Sequence, residues 1–376
     1  RLPGRPRWWG RARGRLGAGA RAVSPARAAF AIPGDINSRT GGYIYERRLL
    51  QGLRARGHDV AHLRLPDSFP EPTAPDMAAA RALLEAVPPE RPLILDGFVF
   101  GAGEGLERVR APIVGMVHHP LALEAGLDAD LRAHLRATER ANVARAAHLL
   151  VPSPHTRDIL IAQYGAQPGR ITVALPGVDR PRRPHRPEDP PLLLSVGILH
   201  PRKGHDVLLD ALARVADLKW RAVIVGEPLD PGHAAALEAR RDALGLGGRV
   251  TFAGEISQDR LESLYAAATV FALATRYEGY GMVFAEAVVR GLPVVATRAG
   301  AVPDTVPEGA GLLAPPEDPA AFAAALREAL SDGDARARLA AAARAASGRL
   351  PRWEDTAARA GGVLDALARV RVAPRP

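Results

Sequence analysis

The chain has 376 residues, 47% hydrophobic and 24% charged, an ordinary globular composition in a length that exceeds one core, so two domains of roughly 150 to 200 residues are expected. It contains no cysteine, which excludes disulfides, thiolate zinc sites and cysteine nucleophiles. The net charge of +9 is a tail effect rather than a nucleic-acid footprint, because residues 1–27 hold eight arginines and no acid, leaving 42 basic against 41 acidic residues elsewhere.

That Arg/Gly/Ala tail, with Trp8 and Trp9, is expected to be disordered and lies outside the fold; its charge would suit an anionic surface. It lacks the apolar core of a secretory signal, and no apolar run reaches the roughly 18 to 20 residues that cross a bilayer. A cytoplasmic protein follows as the expectation, with peripheral contact at the inner membrane face left open. Arginine outnumbers lysine 48 to 2, so each of Lys203 and Lys219 is informative.

From residue 28 onward, short apolar β-type runs alternate with amphipathic helical stretches, which predicts an α/β fold with parallel sheets covered on both faces. Strands are predicted near Ala28–Ile32, Asp59–Leu63, Pro92–Leu95, Pro112–Val117, His148–Val151 and Ile171–Ala174, with a helix over Ile44–Arg56. Pro176–Pro191 carries five prolines between 181 and 191 and reads as a linker. A second series follows near Leu192–Val196, Arg221–Val225, Val250–Ala253, Thr269–Leu273, Pro293–Ala296 and Gly311–Leu313. Helical composition over Pro319–Ala346 and Arg352–Val370 closes the chain. The domain division is therefore 28–177, a linker at 178–190, 191–350, and a terminal helix at 351–370.

The most informative stretch is Thr269–Ala287, where a β-run ends in a loop with Gly279 and Gly281 and becomes a helix. Free N–H groups and the positive end of the helix dipole make such a turn an anion site, and glycine lets a diphosphate approach the backbone. Glu278 and Glu286 flank it, the first in the loop and the second about five residues into the helix. Two glutamates eight apart are common by themselves; the turn between them makes them candidates.

The segment EGYGMVFAE, followed by Gly291-Leu292-Pro293-Val294-Val295-Ala296, resembles the signature of retaining glycosyltransferase family 4 (glycosyl transferase group 1). The likeness of pattern runs from about residue 28 to 370. It implies a GT-B fold: two Rossmann-like domains facing each other across a cleft, with the last helix packing back toward the first domain. It also implies that Glu278 holds hydroxyls of a donor sugar, that N–H groups of Gly279, Tyr280, Gly281 and Met282 hold the diphosphate, and that Glu286 binds the ribose.

In Ser195–Gly204 a strand leaves the sheet into a turn with two adjacent cations, Arg202 and Lys203. A fixed ammonium there would meet the charge that builds on a departing β-phosphate. The resembled family usually has an arginine where this chain has Ile198, so either Arg202 supplies that charge or the diphosphate is held less tightly. Phe252–Ile256 is the candidate for base contact.

In the first half, Gly41 and Gly42 sit at a helix start, not in a GxGxxG fingerprint. By the resemblance, this loop closes over the donor phosphates. His118 and His119 follow an apolar run; the resemblance assigns contact with the sugar and reacting centre to His118, with His119 as the fallback. Adjacent residues on an extended chain face opposite ways and no third ligand is evident, so a metal pair is not expected. Ser153 reads as a helix N-cap, and Arg157 one turn on as a candidate on the acceptor or phosphate side.

The resulting expectation is a metal-independent, retaining hexosyl-type transferase without cofactor, using a UDP- or GDP-sugar and a glycan, lipid or small-molecule acceptor, in cell-envelope glycan synthesis. Alternatives are a nucleotide-sugar epimerase or phosphorylase on the same fold, and a non-catalytic nucleotide-sugar binder, motivated by Ile198. Nucleic acid is not expected as a partner.

Overall fold

A computed structural model describes residues 27–124 and 126–372; the basic tail lies outside them, apart from Arg27, which opens the first strand. The first half holds β1 (Arg27–Pro33), β2 (Asp59–Leu65), β3 (Leu93–Leu95), β4 (Ile113–Met116), β5 (His148–Val151) and β6 (Ile171–Val173). Its helices are α1 (Gly41–Ala55), α2 (Ala74–Glu85), α3 (Gly97–Ala102), α4 (Ala129–Arg145) and α5 (Pro154–Tyr164). The second half holds β7 (Leu192–Val196), β8 (Arg221–Val225), β9 (Val250–Gly254), β10 (Val270–Leu273), β11 (Val294–Thr297) and β12 (Gly311–Ala314). Its helices are α6 (His205–Ala213), α7 (Pro231–Ala243), α8 (Gln258–Ala267), α9 (Met282–Val289), α10 (Val302–Thr305), α11 (Pro319–Ser331), α12 (Gly333–Ser347) and α13 (Trp353–Val372).

Each half is one parallel sheet of six strands, ordered β2-β1-β3-β4-β5-β6 and β12-β11-β10-β7-β8-β9. Alternation along each strand feeds two cores. In β1, Ala29 and Ala31 enter the cluster under α2, α3 and α4, while Ala28, Phe30 and Ile32 join Leu49, Leu50 and Leu53 of α1 on the other face. In β7, Leu193 packs with α6 and α11, while Leu192 and Leu194 pack with α8 and α9. All twelve predicted strands are present, with boundaries shifted by two residues at most.

Two predicted helices are corrected. α1 begins at Gly41 rather than Ile44, because both glycines already belong to its first turn. The Ala-rich run is two helices, because the Asp332 side chain accepts the Ala335 N–H and starts a new helix where the old one ends.

The segment between β6 and β7 has no helix or strand, and its backbone is pinned by Arg186 and Glu188 donating to Ala266 and Ala267 carbonyls at 2.8 and 3.0 Å. The chain then returns: α13 packs along α1, Thr356 Oγ1 donates to Leu175 O at 2.7 Å, and Val178 N donates to Pro351 O. Among the described residues no helix is long and apolar enough to cross a membrane.

The strand orders decide where a ligand fits. In both sheets the chain winds one way and then reverses, between β1 and β3 in the first and between β7 and β10 in the second. Such reversals open a crevice beyond the C-terminal strand ends. The loops at those ends carry Asp96 after β3, Lys203 after β7 and Glu278 after β10.

Candidate active site

Lys203 closes a short 3-10 turn, Pro201–Lys203, whose His200 side chain accepts the Arg202 N–H at 3.2 Å. Gly204 leaves that turn in the left-handed region at φ 63°, and a Cβ there would run into the Ala274 carbonyl, so only glycine lets α6 start this close to β10. That close approach puts Lys203 Nζ 2.6 Å from Glu278 Oε1. Arg202 joins the same carboxylate at 3.7 Å from Oε2 and donates to Tyr277 O at 3.1 Å. Thr275 Oγ1 adds a hydrogen bond to Glu278 Oε1 at 3.1 Å.

Burial opposes the charge on Glu278, but Lys203 and Arg202 outweigh it and hold the carboxyl below its usual range. Burial also lowers the Lys203 ammonium, with Glu278 acting against it. Arg202 thus lies beside Lys203 over one carboxylate, where Ile198 supplies no charge.

α9 begins at Met282 with Gly281 at its N-cap in the left-handed region (φ 85°) and no side-chain cap. A helix start leaves its first N–H groups without partners inside the helix. The Tyr280 side chain is buried with Val178, Ala285 and Val289, and Met282 packs between that cluster and the α1 core, so what these two residues offer a ligand is backbone. Gly279 touches the first half: a Cβ on it would collide with the His118 carbonyl. Glu286 is partly buried inside α9, where it accepts the Tyr265 hydroxyl at 2.9 Å and burial raises its carboxyl.

The two histidines face different partners. His118 Nε2 lies 3.2 Å from Glu46 Oε1, and His119 Nε2 lies 2.8 Å from Glu124 Oε2. Gly42 stands beside the His118 ring; Gly41 is open. Ser153 caps α5 by accepting the Thr156 N–H at 3.0 Å, as expected. Arg157 does not join the cluster: it is half-buried and pairs with its neighbour Asp158 at 2.8 Å. The proposed base loop touches the first half, where Arg39 donates to Ile256 O at 2.9 Å and pairs with Glu255 at 3.0 Å.

Three acids were missed by the sequence reading. Glu124 reaches across the halves to Arg202 Nε at 3.2 Å; burial disfavours its charge, but the His119 hydrogen bond and the nearby cations bring it down to about 2. Glu46 and Asp96 are both buried, with a carboxylate oxygen of each within 4.8 Å of the other. Glu46 had a visible signal, being a charge on the apolar stripe of Leu49, Leu50 and Leu53 in α1. Asp96 had a weaker one, a carboxylate directly after a strand. Glu124 had none, since its partner is 78 residues away.

Glu46, Asp96 and His118 are the one group among the described residues whose ligand-type atoms converge, all within 4.8 Å. His118 Nε2 and Glu46 Oε1 are 3.2 Å apart, within hydrogen-bond distance of each other.

The family Glycosyl transferases group 1 matches residues 179–346, and Glycosyltransferase Family 4 matches residues 40–182. The chain belongs to glycosyltransferase family 4. It is 38% identical over 256 residues to a D-inositol 3-phosphate glycosyltransferase of Nocardioides sp., and 37% identical over 263 residues to the protein of that name from Acidothermus cellulolyticus. The matches cover 61% and 63% of this chain and span only 55% and 58% of those relatives. Among solved structures, sucrose-phosphate synthase from Thermosynechococcus elongatus superposes with a TM-score of 0.79 at 23% identity, over 92% of this chain and 100% of that one. Anabaena HepE in complex with UDP-glucose does so with 0.74 at 20%, over 90% and 99%. The GT-B architecture follows.

Proposed function

We propose that this family 4 member transfers a sugar from a nucleoside diphosphate donor to an acceptor hydroxyl, with retention of anomeric configuration and without a metal ion. The observation that carries the reading is the pair Arg202 and Lys203 held over Glu278, next to the glycine-capped start of α9. Departure of a nucleoside diphosphate builds negative charge on the β-phosphate; two cations and a helix N-terminus on a rigid sheet edge are suited to receive it. Glu278 would then exchange part of its contact with Lys203 for sugar hydroxyls, Glu286 would take ribose hydroxyls, and Gly41, Gly42 and His118 would meet the donor from the opposite side. The acceptor would enter along the first half, on the His119 side.

The relatives' name makes D-inositol 3-phosphate the first acceptor to try, and the HepE complex makes UDP-glucose the first donor. The test is calorimetric titration with UDP, GDP and ADP, then turnover with the matching sugars, with product configuration read by NMR. Binding of one nucleotide, a retained anomer and turnover unchanged by EDTA support the reading. No nucleotide binding overturns it; an inverted product removes retention, and chelator sensitivity removes metal independence. Lys203→Ala is expected to cut turnover more than about tenfold; an unchanged rate takes Lys203 out of the mechanism. Ile198 favours a second reading, a donor-binding protein without turnover, which binding with no product from an acceptor panel would support.

A further inference from the structure

We propose that Glu46 and Asp96 act as one proton-sharing carboxyl pair that positions His118, holding its Nε2–H inward and leaving Nδ1 as a hydrogen-bond acceptor for a sugar hydroxyl. Only the identity of what Nδ1 meets rests on the glycosyl-transfer reading.

The pair is assembled from separate elements. Glu46 comes from the buried face of α1 and is fully enclosed; Asp96 leaves β3, caps α3 and accepts the Phe98 and Val99 N–H groups at 2.8 and 3.2 Å. Neither carboxyl is paired with a lysine or arginine among the described residues. Glu46 Oε2 is buried without a hydrogen-bond donor.

Two ionised carboxylates this close, with no lysine or arginine beside them, repel each other strongly, and the relief is one proton held between them. Burial accordingly pushes Glu46 up to about 7 and Asp96 well above the usual carboxylate range. The pair then keeps a single negative charge, and the side-chain nitrogen set against it is His118 Nε2 at 3.2 Å. An anionic acceptor at that distance selects the tautomer with hydrogen on Nε2. The Tyr45 ring, edge-on at 5.4 Å, fixes the imidazole plane.

Two neighbouring titratable groups stay uncharged near neutral pH. Tyr43 and Tyr45 of α1 are phenols raised by burial, Tyr43 to about 12, while Asp35 and Asp67 lie on the Tyr43 side. His118 keeps about a quarter of its side chain accessible (24%), and its backbone carbonyl abuts Gly279 and receives a 3.4 Å contact from Thr156 Oγ1. The ring therefore sits where the halves meet. Burial lowers the His118 imidazolium, with Asp96 opposing it, which keeps the ring neutral and Nδ1 available.

The decisive experiment is a nitrogen-15 spectrum of the full chain labelled at histidine, with His118 assigned from the signal lost in His118→Ala. The Nε2–H tautomer is expected in the wild type. In turnover assays Glu46→Gln is expected to lower kcat roughly tenfold to a hundredfold, as the carboxylate acceptor that holds Nε2–H is lost. Glu46→Asp should recover much of the rate. In a His118→Ala background, Glu46→Gln should add less than about twofold, since it acts through that ring. A wild-type Nδ1–H tautomer, a full Glu46→Gln loss in the His118→Ala background, or stoichiometric divalent-metal uptake abolished by Glu46→Gln would each overturn the proposal. Should the variant fail to fold, the wild-type spectrum decides alone. An Nε2–H tautomer in a protein that binds no nucleotide would uphold the pair and sink the transfer reading instead.

Discussion

The buried acids of the candidate site differ, residue by residue, in how they are tolerated. Glu278 stays ionised because Lys203 and Arg202 lie within 2.6 and 3.7 Å, whereas Glu46 has no cation and keeps a proton instead. That contrast has a thermodynamic sign. The folded-state value for Glu46 is about 7, against about 4.3 in an unfolded chain, so its contribution is full below about pH 4.3 and is lost as pH rises through about 7. His205 works in the other sense: enclosed and depressed to about 4, it makes stability rise with pH between about 4 and about 6.5. The difference between wild type and Glu46→Gln reads the carboxyl pair free of the His205 effect. At pH 8 the variant is expected to be more stable by on the order of 2 kcal/mol, with the advantage fading toward pH 5, as measured by urea unfolding across pH. A gain independent of pH would mean that packing rather than ionisation governs the site.

Among the elements, the α1–α13 contact ties the end of the chain to its beginning. Gly52 lies inside α1, where alanine would normally gain about 1 kcal/mol in helix propensity. A Cβ there would come within 2.7 Å of Ala357 Cβ, so Gly52→Ala is expected to destabilise the protein despite its better propensity. A lowered melting temperature in the full chain, by several degrees, would show it; a raised one would mean that α13 is free to shift. The strands of this architecture were legible because each is a short apolar run bounded by glycine, proline or charge. The α11–α12 break was not, because alanine-rich composition outweighed the Asp332-Gly333-Asp334 cap signal in the reading.

Across the whole molecule, polar contacts join the halves around the cleft: Glu124 with Arg202, Arg39 with Glu255, and the His155 N–H with Asp304 at 3.2 Å. Arg39 and Glu255 are about half exposed, so salt should weaken that pair, while the more buried Glu124–Arg202 pair is screened less. Small-angle scattering is expected to show a larger radius of gyration at about 0.5 M than at about 0.05 M NaCl, with the increase reversed by a bound nucleoside diphosphate. An unchanged radius would mean that apolar packing such as that of Met282 against the α1 core is enough to hold the halves together.

The amino-acid order was sufficient for the two six-stranded sheets and for the Lys203, Glu278 and Glu286 candidates, because periodicity, turn residues and a strand-to-helix glycine turn are written locally. Which side chains finally meet was decided by tertiary structure. His118 finds Glu46 across 72 residues, and Arg202 is held by Glu124 from the other half. Those pairings depend on which face of α1 turns inward and on where the two sheets meet, and such choices are made by packing the whole chain, not by any stretch of it.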